Sequence, residues 1–209
     1  MPVSLLSEEI FFPPVADAEG DGWLAIGGDL SIERLLLAYR SGIFPWYNED
    51  EPICWFSPNP RFILFPEELK ISKSMQSVLR NGKFTFAINK HFKEVITNCK
   101  TVKRSYGEGT WISTEIINAY TMLHQQGYAY SAEALQNGKL VGGLYGILIG
   151  KVFFGESMFA TVSNASKFAF IKFILYLKKQ GIELIDCQVY TQHLESLGGK
   201  MISREVFMN

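Results

Sequence analysis

Hydrophobic positions along the chain change period several times, and each change predicts an element. In "GGDLSIERLLLAYRSGIFPW", Leu35, Leu36 and Tyr39 fall on one helical stripe, Ser31 is placed to cap it, and Gly42 follows its end. "SKSMQSVLRNG" predicts a helix closing at Gly82, and "KFTFAIN" alternates apolar and polar residues as a half-buried strand does. "HFKEVITNCK" is a further helix candidate. "WISTEIINAYTMLHQQG" is a stronger one, with Ser113 at the cap, Glu115 in the first turn, Ile116, Ile117, Tyr120 and Leu123 on one face, and Gly127 at the end.

The next segment, "YAYSAEALQNGKLVGGLYGILIGKVFFGESMF", has the pattern of three consecutive antiparallel strands. Asn137-Gly138 is a type I′ hairpin signal and Gly150-Lys151 marks a second tight turn. Gly142, Gly143, Gly146 and Gly155 inside these strands predict bulges or close approaches of another backbone. "NASKFAFIKFILYLKKQG" is apolar nearly all round, a core helix, and "IELIDCQV" is a further strand. "TQHLESLGGKMISREVF" predicts a short helix, a turn and a last strand.

The first sixty residues have a different texture, rich in Pro and Gly, with "FPW", "WFSPNPRF" and "FPEEL" placing prolines beside aromatics. Such segments favour short elements and rigid loops. The expected organisation is a small N-terminal α/β subdomain over residues 1–61 and an α+β domain over 62–209. A helix, an antiparallel meander, a core helix and a returning strand make the second part similar in topology to the acetyltransferase-like (GNAT-like) mixed sheet with flanking helices. Topology alone does not give function.

Chemistry enters with two strands that are apolar except at one face. In "LIDCQV" alternation sends Asp186 and Gln188 one way and Ile185, Cys187 and Val189 the other. "FFGESMF" sets Glu156 among Phe153, Phe154, Met158 and Phe159, where a carboxylate is costly to bury without a partner. A polar cluster in an apolar cleft accounts for Glu156, Asp186 and Gln188 together. A purely structural hydrogen-bond network is the competing account. His91, His124 and His193 are scattered and no Cys or His pair has ligand spacing, so no metal is expected. Phosphate-binding glycine loops are missing, and "YGEGTW" is a lone Gly-x-Gly. The acetyltransferase fold binds coenzyme A through a glycine-containing loop entering a helix, yet the corresponding "ATVSNASK" has no glycine. Coenzyme A is therefore not expected, and an acyl group must come from another carrier.

Composition narrows the partners. With 209 residues, 47% hydrophobic and 20% charged, the chain is a foldable globular protein. No apolar run is long enough for a membrane helix and the N-terminus has no basic region before its apolar residues, so a membrane is not expected. Cys54, Cys99 and Cys187 are odd in number and irregular in spacing, which fits a reduced, cytoplasmic protein. Net charge is −1, but residues 61–104 hold ten Lys or Arg against three acids, a local +7. Such segregation makes a phosphate-binding face, or an ordinary solvated one.

The strings "GWLAIGGDLSIERLLLAYRSGIFPW", "WFSPNPRFILFPEEL", "GTWIS", "LVGGLYG", "FFGESMF", "NASK", "LIDCQ" and "HLESLGG" together resemble the leucyl/phenylalanyl-tRNA–protein transferases, in the family's order and across essentially the whole chain. The chain departs from the family at Tyr130, where a His is usual. The resemblance implies an enzyme that moves Leu or Phe, and less readily Met, from aminoacyl-tRNA to the N-terminal Arg or Lys of a protein, marking it for N-degron degradation. No cofactor is implied. Asp186, Gln188 and Glu156 become the catalytic candidates, with Gln188 orienting the attacking amine and Asp186 fixing the Gln. Leu144, Phe153, Gly155, Met158 and Ile185 are candidates for the aminoacyl pocket, where Met adapts to branched and aromatic donors alike. Trp46 and Trp111 match positions near the terminal adenosine, and the basic stretch with Lys70, Lys73, Arg80 and Lys83 becomes a clamp for the tRNA stem. Two competing readings remain at this point: a coenzyme A-dependent acetyltransferase, and a tRNA-binding module without activity.

Overall fold

The computed structural model describes residues 3–101 and 112–209. In chain order the elements are β1 (Ser4–Leu6), β2 (Trp23–Gly27), α1 (Ile32–Arg40), β3 (Phe44–Pro45), β4 (Cys54–Phe56), β5 (Arg61–Leu64), α2 (Lys73–Arg80), β6 (Thr85–Ile88) and α3 (Phe92–Thr101). They continue with α4 (Thr114–Gln125), β7 (Ala129–Gln136), β8 (Lys139–Ile149), β9 (Val152–Ala160), α5 (Ala165–Lys179), β10 (Leu184–Gln188), α6 (Gln192–Glu195), β11 (Lys200–Ile202) and α7 (Arg204–Met208). Ser31, Ser72 and Ser113 cap α1, α2 and α4 by accepting a backbone N–H three residues on, which satisfies donors the first turn leaves orphaned. Both Asn137 and Gly138 have positive φ (52° and 74°), the backbone a type I′ turn requires between β7 and β8.

Two sheets result. The first is four-stranded, in the order β1-β2-β4-β3; the second is seven-stranded, in the order β11-β5-β10-β9-β8-β7-β6. Every pairing in the second is antiparallel except β9 with β10, which run parallel. Alternation gives this sheet two apolar faces. Phe154, Phe159, Tyr145 and Ile147 face α3, α4 and the first sheet, in one core with Leu35, Tyr39 and Trp55. Leu144, Phe153 and Ile185 face the opposite way, in a core with Phe168, Ile171, Phe173 and Ile174 of α5 and Met75 of α2. Among the described residues no helix is long and apolar enough to cross a membrane.

The structure departs from the sequence-based expectation in three places. The expected last strand is β11, but "SREVF" beyond it adds a helix, α7, which Ser203 caps by accepting the Val206 N–H. Arg61–Leu64, expected among loops, is a strand buried between β10 and β11. The basic stretch 61–104 does not lie on one face. Its α2 part (Lys73, Arg80) belongs to the α5 side of the sheet, while its α3 part (Lys93, Lys100) lies on the other side, packed with α4.

Candidate functional site

The parallel strands β9 and β10 pair only over three residues each, Val152 to Phe154 against Leu184 to Asp186. Beyond that point two bulges part them. Tyr145 of β8 stands opposite Ser157 and Gly146 opposite Gly155, so Glu156 is the extra residue of β9. Only glycine fits at 146, because an added Cβ would meet the Phe153 ring and the Phe154 carbonyl. In β10 the partners step from Asp186↔Ile63 to Gln188↔Phe62, leaving Cys187 unpaired, and Gln188 adopts a left-handed φ of 63°. Such a backbone is uncommon outside glycine and costs stability unless its surroundings hold it.

What holds it is Asp186. Its Oδ1 accepts the Gln188 backbone N–H at 2.9 Å. The same carboxylate receives both prongs of the Arg61 guanidinium, Nε to Oδ1 at 2.8 Å and Nη2 to Oδ2 at 2.6 Å, with both side chains essentially sealed from water. A bidentate pair of this kind fixes orientation as well as charge. Asp186 is thus a brace for the Gln188 backbone, with both oxygens engaged. Burial and the Asp186 charge push the neighbouring Cys187 thiol up, against the pull of Arg61.

Across the parted strands, Gln188 Nε2 donates to Glu156 Oε1 at 2.8 Å. The Glu156 carboxylate is further held by Tyr39 of α1, whose hydroxyl donates to Oε1 at 2.8 Å, and by Tyr120 of α4, whose hydroxyl reaches Oε2 at 3.4 Å. The two tyrosine hydroxyls also bond to each other. Burial raises Glu156 from 4.5 to about 7; the donors Tyr39, Gln188 and Tyr120 oppose that rise, and the charge of Asp186 adds to it. Tyr39 and Tyr120 are raised well above 10, first by burial and then by Glu156, so both remain donors. The cluster therefore holds one carboxylate able to change protonation near neutrality, with an amide beside it and neutral hydroxyls behind.

The expected catalytic trio Asp186, Gln188 and Glu156 is brought together, though Asp186 stands behind Gln188 and not at the gap. Ile185 pairs with Phe153, and Leu144 with Met158, so four of the five pocket candidates form one apolar patch on the α5 side, beside the fifth, Gly155, at the parting of the strands. Leu144, Phe153 and Ile185 are buried there, while Met158 and Gly155 are half-buried. Trp46 is 45% exposed and meets Phe56 edge-on at 5.6 Å. Trp111 lies outside the described residues, as do Lys103 and Arg104 of the basic stretch. Lys70, Lys73, Arg80 and Lys83 are exposed, with Lys73 and Arg80 lining a shallow depression on α2 alongside Gln76. Tyr130 stands opposite Gly146 and packs with the α5-side core.

Sequence reasoning missed Arg61, Tyr39 and Tyr120. Arg61 was counted only as surface charge, and the two tyrosines only as core. The available signal was the placement of Arg61 inside an aromatic run and of a hydroxyl on each buried helical stripe.

A mixed sheet whose single parallel pair parts in this way has the acetyltransferase-like (GNAT-like) fold. The solved structure of FemX is similar to this chain with a TM-score of 0.54 at 9% identity, covering 82% of this chain and 66% of that one, a likeness of fold alone. The family model for leucyl/phenylalanyl-tRNA protein transferase matches residues 63–209, and the model of that family's N-terminal domain matches 28–59. A leucyl/phenylalanyl-tRNA–protein transferase of Flavobacterium johnsoniae is 60% identical over 98% of this chain and 96% of its own length. One from Syntrophobacter fumaroxidans is 53% identical over 100% of this chain and 89% of its own. The chain belongs to the leucyl/phenylalanyl-tRNA–protein transferase family. It is an aminoacyltransferase whose partners are aminoacyl-tRNA and an acceptor protein.

Proposed function

We propose that the enzyme transfers Leu or Phe, and less readily Met, from tRNA to the N-terminal Arg or Lys of acceptor proteins, creating a destabilising N-terminus for the N-degron pathway. The observation that carries this reading is the Gln188–Glu156 bridge across the parted strands. It offers an amide and a proton-accepting carboxylate side by side where an amine must approach an ester. The donor is already activated, so the chemistry asks for positioning and one proton transfer. An α-amine has a pKa of about 8, so a useful fraction is neutral near pH 7.

In the proposed mechanism the Gln188 amide orients the amine and Glu156 takes its proton, as suits a base titrating close to the working pH. The amine attacks the ester carbonyl, the new C–N bond forms and the C–O bond to the terminal ribose breaks. The ribose oxygen leaves with a proton returned by Glu156. An amide is a very poor base, so Gln188 does not accept the proton itself. The donor side chain enters the apolar patch of Leu144, Phe153, Met158 and Ile185, with half-buried Met158 as the wall that moves. Trp46 supplies a stacking face for the terminal adenosine, and the α2 residues Lys73 and Arg80 with nearby Lys70 and Lys83 contact tRNA phosphates. Residues 1–61 contribute Tyr39, so this reading treats them with 62–209 as one working unit.

The test is a transfer assay with Leu-, Phe-, Met- and Ile-tRNA donors and peptides beginning with Arg or Lys, without ATP or coenzyme A. Transfer of Leu and Phe is expected. Absence of transfer while acetyl-coenzyme A supports acetylation would replace this reading with an acetyltransferase.

A further inference from the structure

We infer that Phe207 of α7 is a positioning residue for the transfer site, acting through Arg61 and Asp186 on Gln188. The inference rests on the proposed role of Gln188. Arg61 is 1% exposed although it carries a full charge. In its plane, Nε and Nη2 bind Asp186 and Nη1 donates to the Gly42 carbonyl at 3.1 Å. The guanidinium carbon also lies over two aromatic rings, Phe44 and Phe207, each with its centroid 4.8 Å away. Phe44 comes from the first sheet, whereas Phe207 comes from a helix of only five residues at the far end of the described chain.

That helix is seated for this purpose. The Arg204 backbone N–H donates to Asn59 Oδ1 at 3.0 Å, and Arg204 Nη1 donates to the Ser57 carbonyl at 2.6 Å. Gly42 has a φ of 69°, and a Cβ there would stand 3.2 Å from the Phe207 ring and 2.6 Å from the Met208 sulfur, so glycine lets α7 sit against the backbone that receives Arg61. Val206 and Met208 are exposed at 62% and 42%, while Phe207 is half-buried against the core. Phe207 is thus the side chain through which α7 reaches the interior.

Removing the ring takes away one of the two aromatic contacts that help keep Arg61 from water and salt. The Arg61–Asp186 pair then weakens, because screening falls hardest on exposed charges. Asp186 is what holds the left-handed backbone of Gln188, so the amide loses its fixed place beside Glu156. Phe207 acts through Arg61, whose bond to Asp186 holds the backbone of Gln188.

The test compares wild type, F207A, F207L and F207Y by single-turnover transfer at saturating aminoacyl-tRNA, by tRNA affinity, and by hydrogen exchange of segment 184–190. For F207A a loss of about 10- to 100-fold in rate is expected, since misplacement of roughly 1 Å can cost about 100-fold. Its tRNA affinity should stay within about twofold of wild type, and its rate should fall further as salt rises while the wild-type rate at saturation does not. F207Y should restore the wild-type rate and F207L should lie between. Segment 184–190 should exchange faster in F207A, with α5 unchanged. A wild type without transfer would defeat the proposed function, and the exchange measurement would still decide the inference. Unchanged exchange, or equal losses of rate and tRNA affinity, would overturn it. If F207A does not fold, F207L carries the same comparison.

Discussion

Glu156→Gln should make the protein more stable at pH 8 than the wild type, measured against their difference at pH 5. In the folded chain Glu156 binds its proton more tightly than in the unfolded chain, about 7 against 4.5. Stability from that proton is fully present below pH 4.5 and is lost as pH rises through about 7. Integrating the linkage between those two affinities, this group contributes about 2.5 kcal/mol at pH 5 and almost nothing at pH 8. Gln at this position carries no titrating proton, so the variant loses nothing over the same interval.

The substitution has other costs. Gln keeps one oxygen at the Oε1 position to accept from both Tyr39 and Gln188 but brings an NH2 toward the Tyr120 hydroxyl in place of Oε2. That penalty does not depend on pH and cancels when the two pH values are compared. Urea titration of both proteins at pH 5 and pH 8 gives the four free energies required. The wild type should lose about 2.5 kcal/mol relative to the variant between the two pH values, or about 5–10 °C in relative Tm for a chain of this size. A difference that stays constant within about 0.5 kcal/mol would show that Glu156 titrates alike folded and unfolded. The proposed base would then lose its physical footing. Transfer by the variant should fall sharply at every pH.

Three further outcomes are expected. Tyr39→Phe removes a hydroxyl that favours the charged carboxylate, so the acidic limb of the pH–rate profile should move up by about one pH unit, the worth of one hydrogen bond to a charged group; an unmoved limb would detach Tyr39 from Glu156. Gln188→Ala should lower single-turnover transfer by about 100-fold with tRNA affinity nearly unchanged, and equal losses in both would undo its assigned role. Charge reversal at Lys73 and Arg80 together should weaken tRNA binding and reduce the salt slope by about two, while unchanged binding in a titration over salt would put the tRNA elsewhere.

The elements that were legible from the sequence are those whose signal is local. Capping serines 31 and 113 stand where the helices begin, and Asn137-Gly138 turns the hairpin it predicts. The Asp186–Gln188 face was legible too, because a carboxylate and an amide two residues apart in an apolar strand stand out. Their division of labour was not. Strict alternation treats them as equals, whereas the bulge at Cys187 turns Gln188 toward Glu156 and leaves Asp186 with Arg61. That pairing spans 125 residues of chain, and the Tyr39–Glu156 bond spans 117, separations at which local periodicity carries no information. How the basic stretch divides between the two sides of the sheet was hidden for a related reason. Residues close in sequence part when the chain passes from α2 to α3 across the edge strand β6.

The partners of the two carboxylates, more than their distance from the gap, decide which one moves a proton. Asp186 and Glu156 stand on neighbouring strands, and a shared site usually pushes such groups apart in character. Arg61 supplies a full counter-charge to Asp186, in plane and bidentate, and the Gln188 backbone takes a further share of Oδ1. That ion pair is buried beside the Phe44 and Phe207 rings, and it fixes the backbone that presents Gln188. Among the described residues, the donors to Glu156 are the neutral groups of Tyr39, Tyr120 and Gln188. These hold its carboxylate in place yet do not neutralise it, so a proton can arrive and leave without dismantling the site. On that ground the brace and the base are different residues, and a Glu156→Gln variant that keeps the Gln188 segment as protected from hydrogen exchange as the wild type, while losing transfer, would separate them.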